Sequence, residues 1–77
     1  MSNVMADVLV HISNTLDKVK RSEYLENLNA LNGIVSIQSS EQRPHLFVVK
    51  YDSGMIAASD ILKTTRGSGW DARIIGL

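Results

Sequence analysis

His11 and His45 are the side chains of this 77-residue chain best suited to chemistry, because imidazole binds metal ions and carries protons near neutral pH. Each lies in, or begins, an apolar segment that is typical of a β-strand. If these segments pair, the two imidazoles share one surface. Zinc, however, normally takes three or four protein ligands. We therefore expect surface or interface histidines, with a metal site at His11 and His45 as the alternative.

Other catalytic and cofactor chemistry has little support in the sequence. The chain has no cysteine, which excludes disulfides, thiolate metal sites and thiol nucleophiles. Its serines have no base and orienting acid at a recognisable spacing. The Gly67-Ser68-Gly69 segment follows a predicted helix and lacks the spacing of a phosphate loop, so we interpret it as a helix stop. We expect no enzyme and no cofactor.

The charge balance narrows the class of partner. Eight basic and eight acidic residues cancel, so no net charge attracts nucleic acid or an anionic membrane. The segment before Asn14 has neither a basic region nor an apolar run long enough to cross a bilayer. These features predict a cytoplasmic protein that binds neither nucleic acid nor membranes.

The apolar pattern predicts one domain, residues 1–77, with the element order βαββαβ. Strands are predicted at 6–12, 34–38, 45–51 and 70–77, and helices at 16–32 and 57–66, with the polar residues 39–44 as an open hairpin loop. The apolar stripe of the first helix is formed by Leu16, Val19, Leu25, Leu28 and Leu31. Gly33 is expected to end that helix in a left-handed conformation.

This order predicts an α+β fold, the ferredoxin-like sandwich, in which both helices cover one face of a four-stranded antiparallel sheet. Residues alternate between the two faces of each strand. The residues predicted to face the helices are Val8, Val10, Ile12, Phe47, Val49 and Tyr51. Those predicted to face away are Leu9, His11, Leu46, Val48 and Lys50, so the outer face is partly apolar.

Three segments, in this order and register, resemble the heavy-metal-associated domain, the small fold of copper chaperones and of the N-terminal modules of metal-pumping ATPases. They are "LNALNGIVSI" (28–37), "FVVKYD" (47–52) and "GSGWDARII" (67–75). The resemblance covers about residues 8–75 and implies the same ferredoxin-like fold.

The loop that carries the metal in that family departs from the family pattern here. A Met-x-Cys-x-x-Cys motif precedes the first helix in the family, and its thiolates bind a soft ion such as Cu(I). Counted back from Gly33, these three positions fall on Thr15, Asp17 and Lys20. A carboxylate and an ammonium group cannot form a thiolate site, so the resemblance implies no metal binding here. We expect Asp17 in the first helical turn with Lys20 within reach, or else an ordinary solvated helix start.

The resemblance also implies that Trp70 lies beside this loop, next to Thr15, Leu16 and Asp17, on the surface where family members dock on partners. We therefore predict a non-catalytic protein-interaction or assembly module, with Leu16 and Trp70 binding the partner. Packing of Trp70 over the core end of the first helix is the alternative for that residue. The alternative functions are metal binding or transfer through His, Asp or Met ligands, and a small-ligand sensor, for which the sequence shows no pocket residues.

The outer sheet face is a second candidate surface for a protein partner, or for a second copy of the chain in a homodimer. Its apolar residues are Leu9, Leu46, Val48 and Ile75.

Overall fold

Four strands and two helices follow one another in the predicted order βαββαβ. The computed structural model describes residues 4–40 and 42–76. The elements are β1 (Met5–Ile12), α1 (Lys18–Asn29), β2 (Ile34–Ser40), β3 (Arg43–Asp52), α2 (Ala58–Gly67) and β4 (Ala72–Gly76). The strands form one sheet in the order β2-β3-β1-β4, and each neighbouring pair is antiparallel. The predicted ferredoxin-like fold class is confirmed.

The predicted division of the sheet into two faces is also confirmed. The strand residues assigned to the helix side are buried, with exposures of 6% or less, and they form the core together with residues of both helices. The strand residues assigned to the outer side are partly or fully exposed, as Val48 shows with 38% of its surface accessible. Alternation along β1 and β3 therefore decides which side of the sheet the helices cover.

The predicted stripe of α1 is wrong at Val19, which is 66% exposed. The fully buried residues of α1 are Tyr24 and Leu28, four positions apart on one side of the helix. Val19 lies five residues before Tyr24, which turns its side chain about 140° away from that of Tyr24. The helix also ends at Asn29, three residues earlier than the predicted Asn32.

Gly33 has the predicted positive φ, 104°, but it lies in the turn that leads into β2 rather than at the end of α1. A Cβ atom at this position would lie 2.8 Å from the Cγ2 atom of Ile56. Glycine is needed here both for its backbone conformation and for the missing side chain.

The hairpin between β2 and β3 is tighter than the predicted loop over 39–44. β2 continues through Ser40 and β3 begins at Arg43, because the polar residues extend the backbone pairing. The register shifts between Ser39 and Ser40, which indicates a local bulge. Pro44, the last residue of the predicted loop, is the second residue of β3.

A buried pair of hydroxyl groups fixes α1 against α2. The hydroxyl of Thr65 donates a hydrogen bond to the carbonyl of Ile61 over 2.9 Å, so the hydroxyl of Tyr24, 2.8 Å away, donates to Thr65. Burial raises the pKa of Tyr24, and the hydrogen bond to Thr65 partly offsets that rise. The ring of Tyr24 also packs edge-on against Phe47, with 5.1 Å between ring centroids. This contact links the helices to the sheet.

Neither helix of the part of the chain that the structure describes has the length and the apolar character that a membrane span requires.

Candidate protein-interaction surface

The loop before α1 is attached to the loop before β4. The backbone N–H of Ser13 donates to the carbonyl of Asp71 over 2.8 Å. The side-chain oxygen of Asn14 accepts from the backbone N–H of the same residue over 2.6 Å. Both polar backbone groups of Asp71 are therefore occupied by the first loop. We use the term two-loop surface for Thr15, Leu16, Asp17, Lys20 and Trp70.

Asp17 determines where α1 begins. It is the N-cap residue, with an extended backbone, and its carboxylate accepts a hydrogen bond from the backbone N–H of Lys20 over 2.8 Å. Its carbonyl accepts from the N–H of Arg21 over 2.9 Å. An N-cap of this kind stabilises a helix by about 1 kcal/mol. Asp17 thus lies just before the first turn in which it was predicted, and its hydrogen bonds fix the start of the helix.

The ammonium group of Lys20 lies near Trp70 instead of Asp17. Its Nζ atom is 6.0 Å from the centroid of the Trp70 ring, at the outer limit of a cation–π contact. The predicted side-chain pair between Asp17 and Lys20 is therefore not formed, and the carboxylate of Asp17 binds a backbone group. The two residues predicted to lie at the family's cysteine positions therefore have separate roles: Asp17 caps the helix, and Lys20 places a positive charge beside an aromatic ring.

Trp70 and Leu16 are both partly buried and pack against the core, while Thr15, Asp17 and Lys20 are exposed. The two interpretations offered for Trp70 are thus compatible, because the ring packs on the core and still presents part of its surface to solvent. The roles assigned to Leu16 and Trp70 in partner binding stay predictions.

Two contributions to this region are missing from the sequence interpretation. Asn14, which lies between the predicted first strand and first helix, ties the two loops together. Val19, read as core, adds an exposed apolar side chain to the first turn of α1. The exposure of Val19 could have been predicted, because Val19 lies on the opposite side of the helix from Tyr24 and Leu28. The Asn14 contact could not have been predicted, because it joins residues 57 positions apart and has no local signal.

The two histidines are close together at one end of β1 and β3. Their ring centroids are 6.0 Å apart, with planes inclined by 32°. The Nδ1 atom of His45 lies 2.8 Å from the carbonyl oxygen of Ile12, and both imidazoles are partly buried. Within residues 4–40 and 42–76, no three His, Cys, Asp or Glu side chains are grouped so that they could hold a metal ion.

The outer sheet face carries a shallow groove of about 250 Å³. Three of its predicted apolar residues, Leu9, Leu46 and Val48, line the groove together with polar side chains of Gln38, Ser39 and Arg43. Ile75 is 49% exposed. The groove is therefore bordered by polar residues.

No protein-family model and no curated protein matches the sequence. Solved structures do match in fold. Oxidized MerP from Ralstonia metallidurans CH34 gives a TM-score of 0.81 at 11% identity, over 92% of this chain and 97% of that chain. A copper binding domain from HMA7, a P-type ATPase, gives a TM-score of 0.81 at 16% identity, over 91% of this chain and 93% of that chain. A protein from Bacillus anthracis str. Ames described as copper-ion-binding gives 0.83 at 18% identity, over 94% and 100%.

The chain has the fold of the heavy-metal-associated domain. At these identities the likeness shows the fold alone. In this example of the heavy-metal-associated fold the loop before α1 carries Thr15, Asp17 and Lys20, and the whole sequence has no cysteine. The loop therefore lacks a thiolate site.

Proposed function

We propose that this chain is a non-catalytic protein-interaction module and that it binds its partner through the two-loop surface. The observation that carries the proposal is the position of Trp70, whose partly exposed ring lies beside the Lys20 ammonium on a loop fixed by the two Asp71 hydrogen bonds. Tryptophan is enriched among the few residues that dominate binding energy at interfaces.

The arrangement of the loops favours binding for a second reason. Ordering flexible loops and side chains on association costs free energy, and a surface that is already fixed avoids much of that cost. The N-cap bond of Asp17 and the Asn14 bond to Asp71 fix the two loops in the free chain. The partner therefore meets an aromatic ring, an aliphatic side chain and one positive charge in a set arrangement.

Copper binding is named for two of the structurally similar proteins, and it does not extend to this chain through the same ligands because there is no thiol. Soft Cu(I) sites in proteins use thiolate or thioether ligands. Metal binding or transfer through other ligands is the second candidate function, and the contact between His11 and His45 favours it.

Site-directed photocrosslinking tests the interaction proposal. A photoreactive amino acid replaces Thr15, which is exposed on the two-loop surface, and in a matched variant it replaces Met55, which is 63% exposed. Met55 follows the end of β3 that pairs with the start of β1, so the eight-residue β1 places it roughly 25 Å from the two-loop surface. We expect one defined protein to crosslink at position 15 in cell extract and not at position 55.

The crosslinked protein is then purified and its binding to the unmodified chain is measured by titration. Equal crosslinking at positions 15 and 55, or a crosslinked protein that does not bind the unmodified chain, would contradict the proposal. In a third variant the photoreactive amino acid replaces Val48 on the outer sheet face. Crosslinking of the chain to itself at position 48, with none at position 15, would contradict the proposal and support self-association through that face.

A further inference from the structure

We infer that His11 and His45 form a two-ligand site for a divalent first-row cation such as Zn(II). The inference is independent of the interaction proposal, because it concerns a different group of residues. The two rings meet where the pairing of β1 with β3 ends: His11 pairs with Leu46, and His45 is the residue before Leu46, beyond the last residue pair of the ladder. The ring centroids are 6.0 Å apart. Two Zn–N bonds of about 2.0–2.1 Å at a tetrahedral angle place the centres of two imidazoles about 5 Å apart, so the two rings need to approach each other by about 1 Å to share an ion.

The hydrogen bond that His45 makes through Nδ1 leaves its Nε2 atom available to bind a cation. A carbonyl oxygen only accepts hydrogen bonds, so the contact of 2.8 Å with Ile12 requires a proton on Nδ1 of His45. In the neutral imidazole the Nε2 atom then carries the free lone pair. Histidines that bind metals nearly always donate their other ring N–H in this way, often to a backbone carbonyl. The side chain of Ile12 is fully buried, so the accepting carbonyl belongs to a fixed part of β1.

The backbone of His11 is fixed by strand pairing, whereas its imidazole ring makes no hydrogen bond to the described residues. Its backbone is paired on both sides, with Leu46 of β3 and Arg73 of β4. Its ring makes no hydrogen bond within the part of the chain that the structure describes, so a nitrogen lone pair is available. The rigid backbone keeps the ring near His45, and rotation of the side chain can direct a nitrogen toward a shared ion.

Two protein ligands leave coordination positions open, because zinc takes four or more ligands. Water or an exchangeable ligand fills those positions. The guanidinium of Arg73, opposite His11 on β4, adds a positive charge near the site and lowers its affinity for a cation. The site is therefore suited to reversible binding rather than to holding a permanent structural metal.

Zinc titration of the ¹⁵N-labelled chain at pH 7.5 tests the inference directly. Long-range ¹H–¹⁵N spectra resolve the imidazole nitrogens, and calorimetry gives the stoichiometry. We expect one Zn(II) per chain, with one nitrogen of each of the two rings shifted and Nε2 as the shifted atom of His45. Binding is expected to weaken at acidic pH, because a metal ion binds only the deprotonated ring nitrogen of an imidazole. Unchanged spectra of both rings at millimolar Zn(II) would overturn the inference without any variant.

Two variants separate this site from other zinc ligands. His45→Asn keeps an N–H donor for the Ile12 carbonyl and removes the Nε2 ligand, and His11→Gln removes the other ligand. Each is expected to weaken Zn(II) binding roughly tenfold or more. Arg73→Gln, which removes the nearby positive charge, is expected to strengthen it severalfold. Backbone amide spectra verify that each variant is folded. Zinc binding that is undiminished in the double histidine variant would place the ion elsewhere and overturn the inference.

Discussion

The side-chain oxygen of Asn14 accepts a hydrogen bond from the backbone N–H of Asp71 over 2.6 Å, although the two residues are 57 positions apart. The backbone N–H of Ser13 donates to the carbonyl of the same Asp71. Together these bonds hold the loop before α1 against the loop before β4. The position of Trp70, the residue next to Asp71, therefore depends in part on one amide side chain.

Asn14→Ala is expected to loosen the two-loop surface. The substitution leaves the N–H of Asp71 without its acceptor, which lowers the free energy of unfolding by about 0.5–1.5 kcal/mol. The freed loop exposes more of the Trp70 ring to water, so its fluorescence emission shifts to longer wavelength. Asn14→Asp is the matched control, because it keeps an acceptor oxygen at the same position. An emission spectrum that does not change in Asn14→Ala would show that the bond does not position the ring.

Trp70→Ala is expected to impair binding more than folding. Removal of an interface anchor costs about 2 kcal/mol of binding free energy or more, equivalent to roughly a thirtyfold loss of affinity. The cost in unfolding free energy should be less than the roughly 3–5 kcal/mol typical of a fully buried aromatic, because the ring is only partly buried. Titration with the crosslinked partner gives the change in binding free energy, and denaturant unfolding gives the change in unfolding free energy. Met55→Ala, at the other end of the sheet, serves as the control and should retain full affinity.

A Trp70→Ala variant that is unfolded, with binding lost only for that reason, would contradict the role of Trp70 as an anchor. The outer sheet face would then be the better candidate for the partner surface. Its groove is lined by the apolar residues Leu9, Leu46 and Val48, which lie outside the two-loop surface.

The sequence predicts the sheet well because strand alternation is a local property. The buried Val8, Val10 and Ile12 alternate with the less buried Leu9 and His11, and this pattern is visible without knowledge of any partner strand. The helix stripe is harder to predict. Tyr24 is buried because its hydroxyl reaches Thr65 on α2 and its ring meets Phe47 on β3, and neither contact has a local signal.

In the candidate site, too, the local feature was predictable from the sequence and the long-range contact was not. Counting back from Gly33 places Asp17 at the start of the first helix, and in the structure Asp17 is the N-cap residue of α1. The direction of the Lys20 side chain depends on Trp70, a residue 50 positions later that β4 brings to the same end of the molecule. Local spacing favoured an ion pair with Asp17, but the capping bond occupies that carboxylate. A tertiary contact therefore overrides a preference set by spacing.

Gly33→Ala is expected to destabilise the chain by about 1–3 kcal/mol, because a non-glycine residue is strained at a φ of 104° and its Cβ would contact Ile56. Gly67→Ala is the matched control. Gly67 has an ordinary negative φ at the end of α2, and an added Cβ would meet nothing within 4 Å. Gly67→Ala should leave the free energy of unfolding unchanged or raise it slightly. Chemical unfolding of both variants provides the comparison, and equal stability of the two would contradict the turn geometry at Gly33.

Tyr24→Phe is expected to change how stability depends on pH. Burial raises the pKa of Tyr24 above its usual value of 10 in the folded chain, with the bond to Thr65 acting in the opposite direction. The contribution of the neutral hydroxyl to stability is therefore fully present below about pH 10 and is lost as the pH rises through the folded pKa. Removing the hydroxyl should cost about 0.5–1.5 kcal/mol at neutral pH.

Unfolding free energies between pH 7 and 11 test this prediction. The difference between the parent and Tyr24→Phe should shrink as the pH rises above 10. A difference that stays constant over the whole range would indicate that Tyr24 ionises equally in the folded and unfolded chains. Lysine ionisation occurs in the same range, but it affects both proteins and cancels in the comparison.

Placing thiols at the two positions that the resemblance assigns to cysteines tests whether the loop before α1 has the geometry of a thiolate site. Asp17→Cys with Lys20→Cys places two thiols at the N-cap and in the first turn of α1. The helix N-terminus favours thiolates, and thiolates bind Cu(I). We expect the double variant to bind one Cu(I) per chain against a competing ligand that prevents binding by the parent. The metal-free form should be less stable by about 0.5–2 kcal/mol, since the N-cap bond is lost.

Thermal unfolding with and without Cu(I) completes this test. A ligand at about a hundred times its dissociation constant adds roughly 2.7 kcal/mol, so Cu(I) should more than restore the stability lost with the cap. Each single cysteine variant is a matched control with only one thiol, and both should bind more weakly. If the double variant binds Cu(I) no better than the single variants, the loop does not have the arrangement that the resemblance implies.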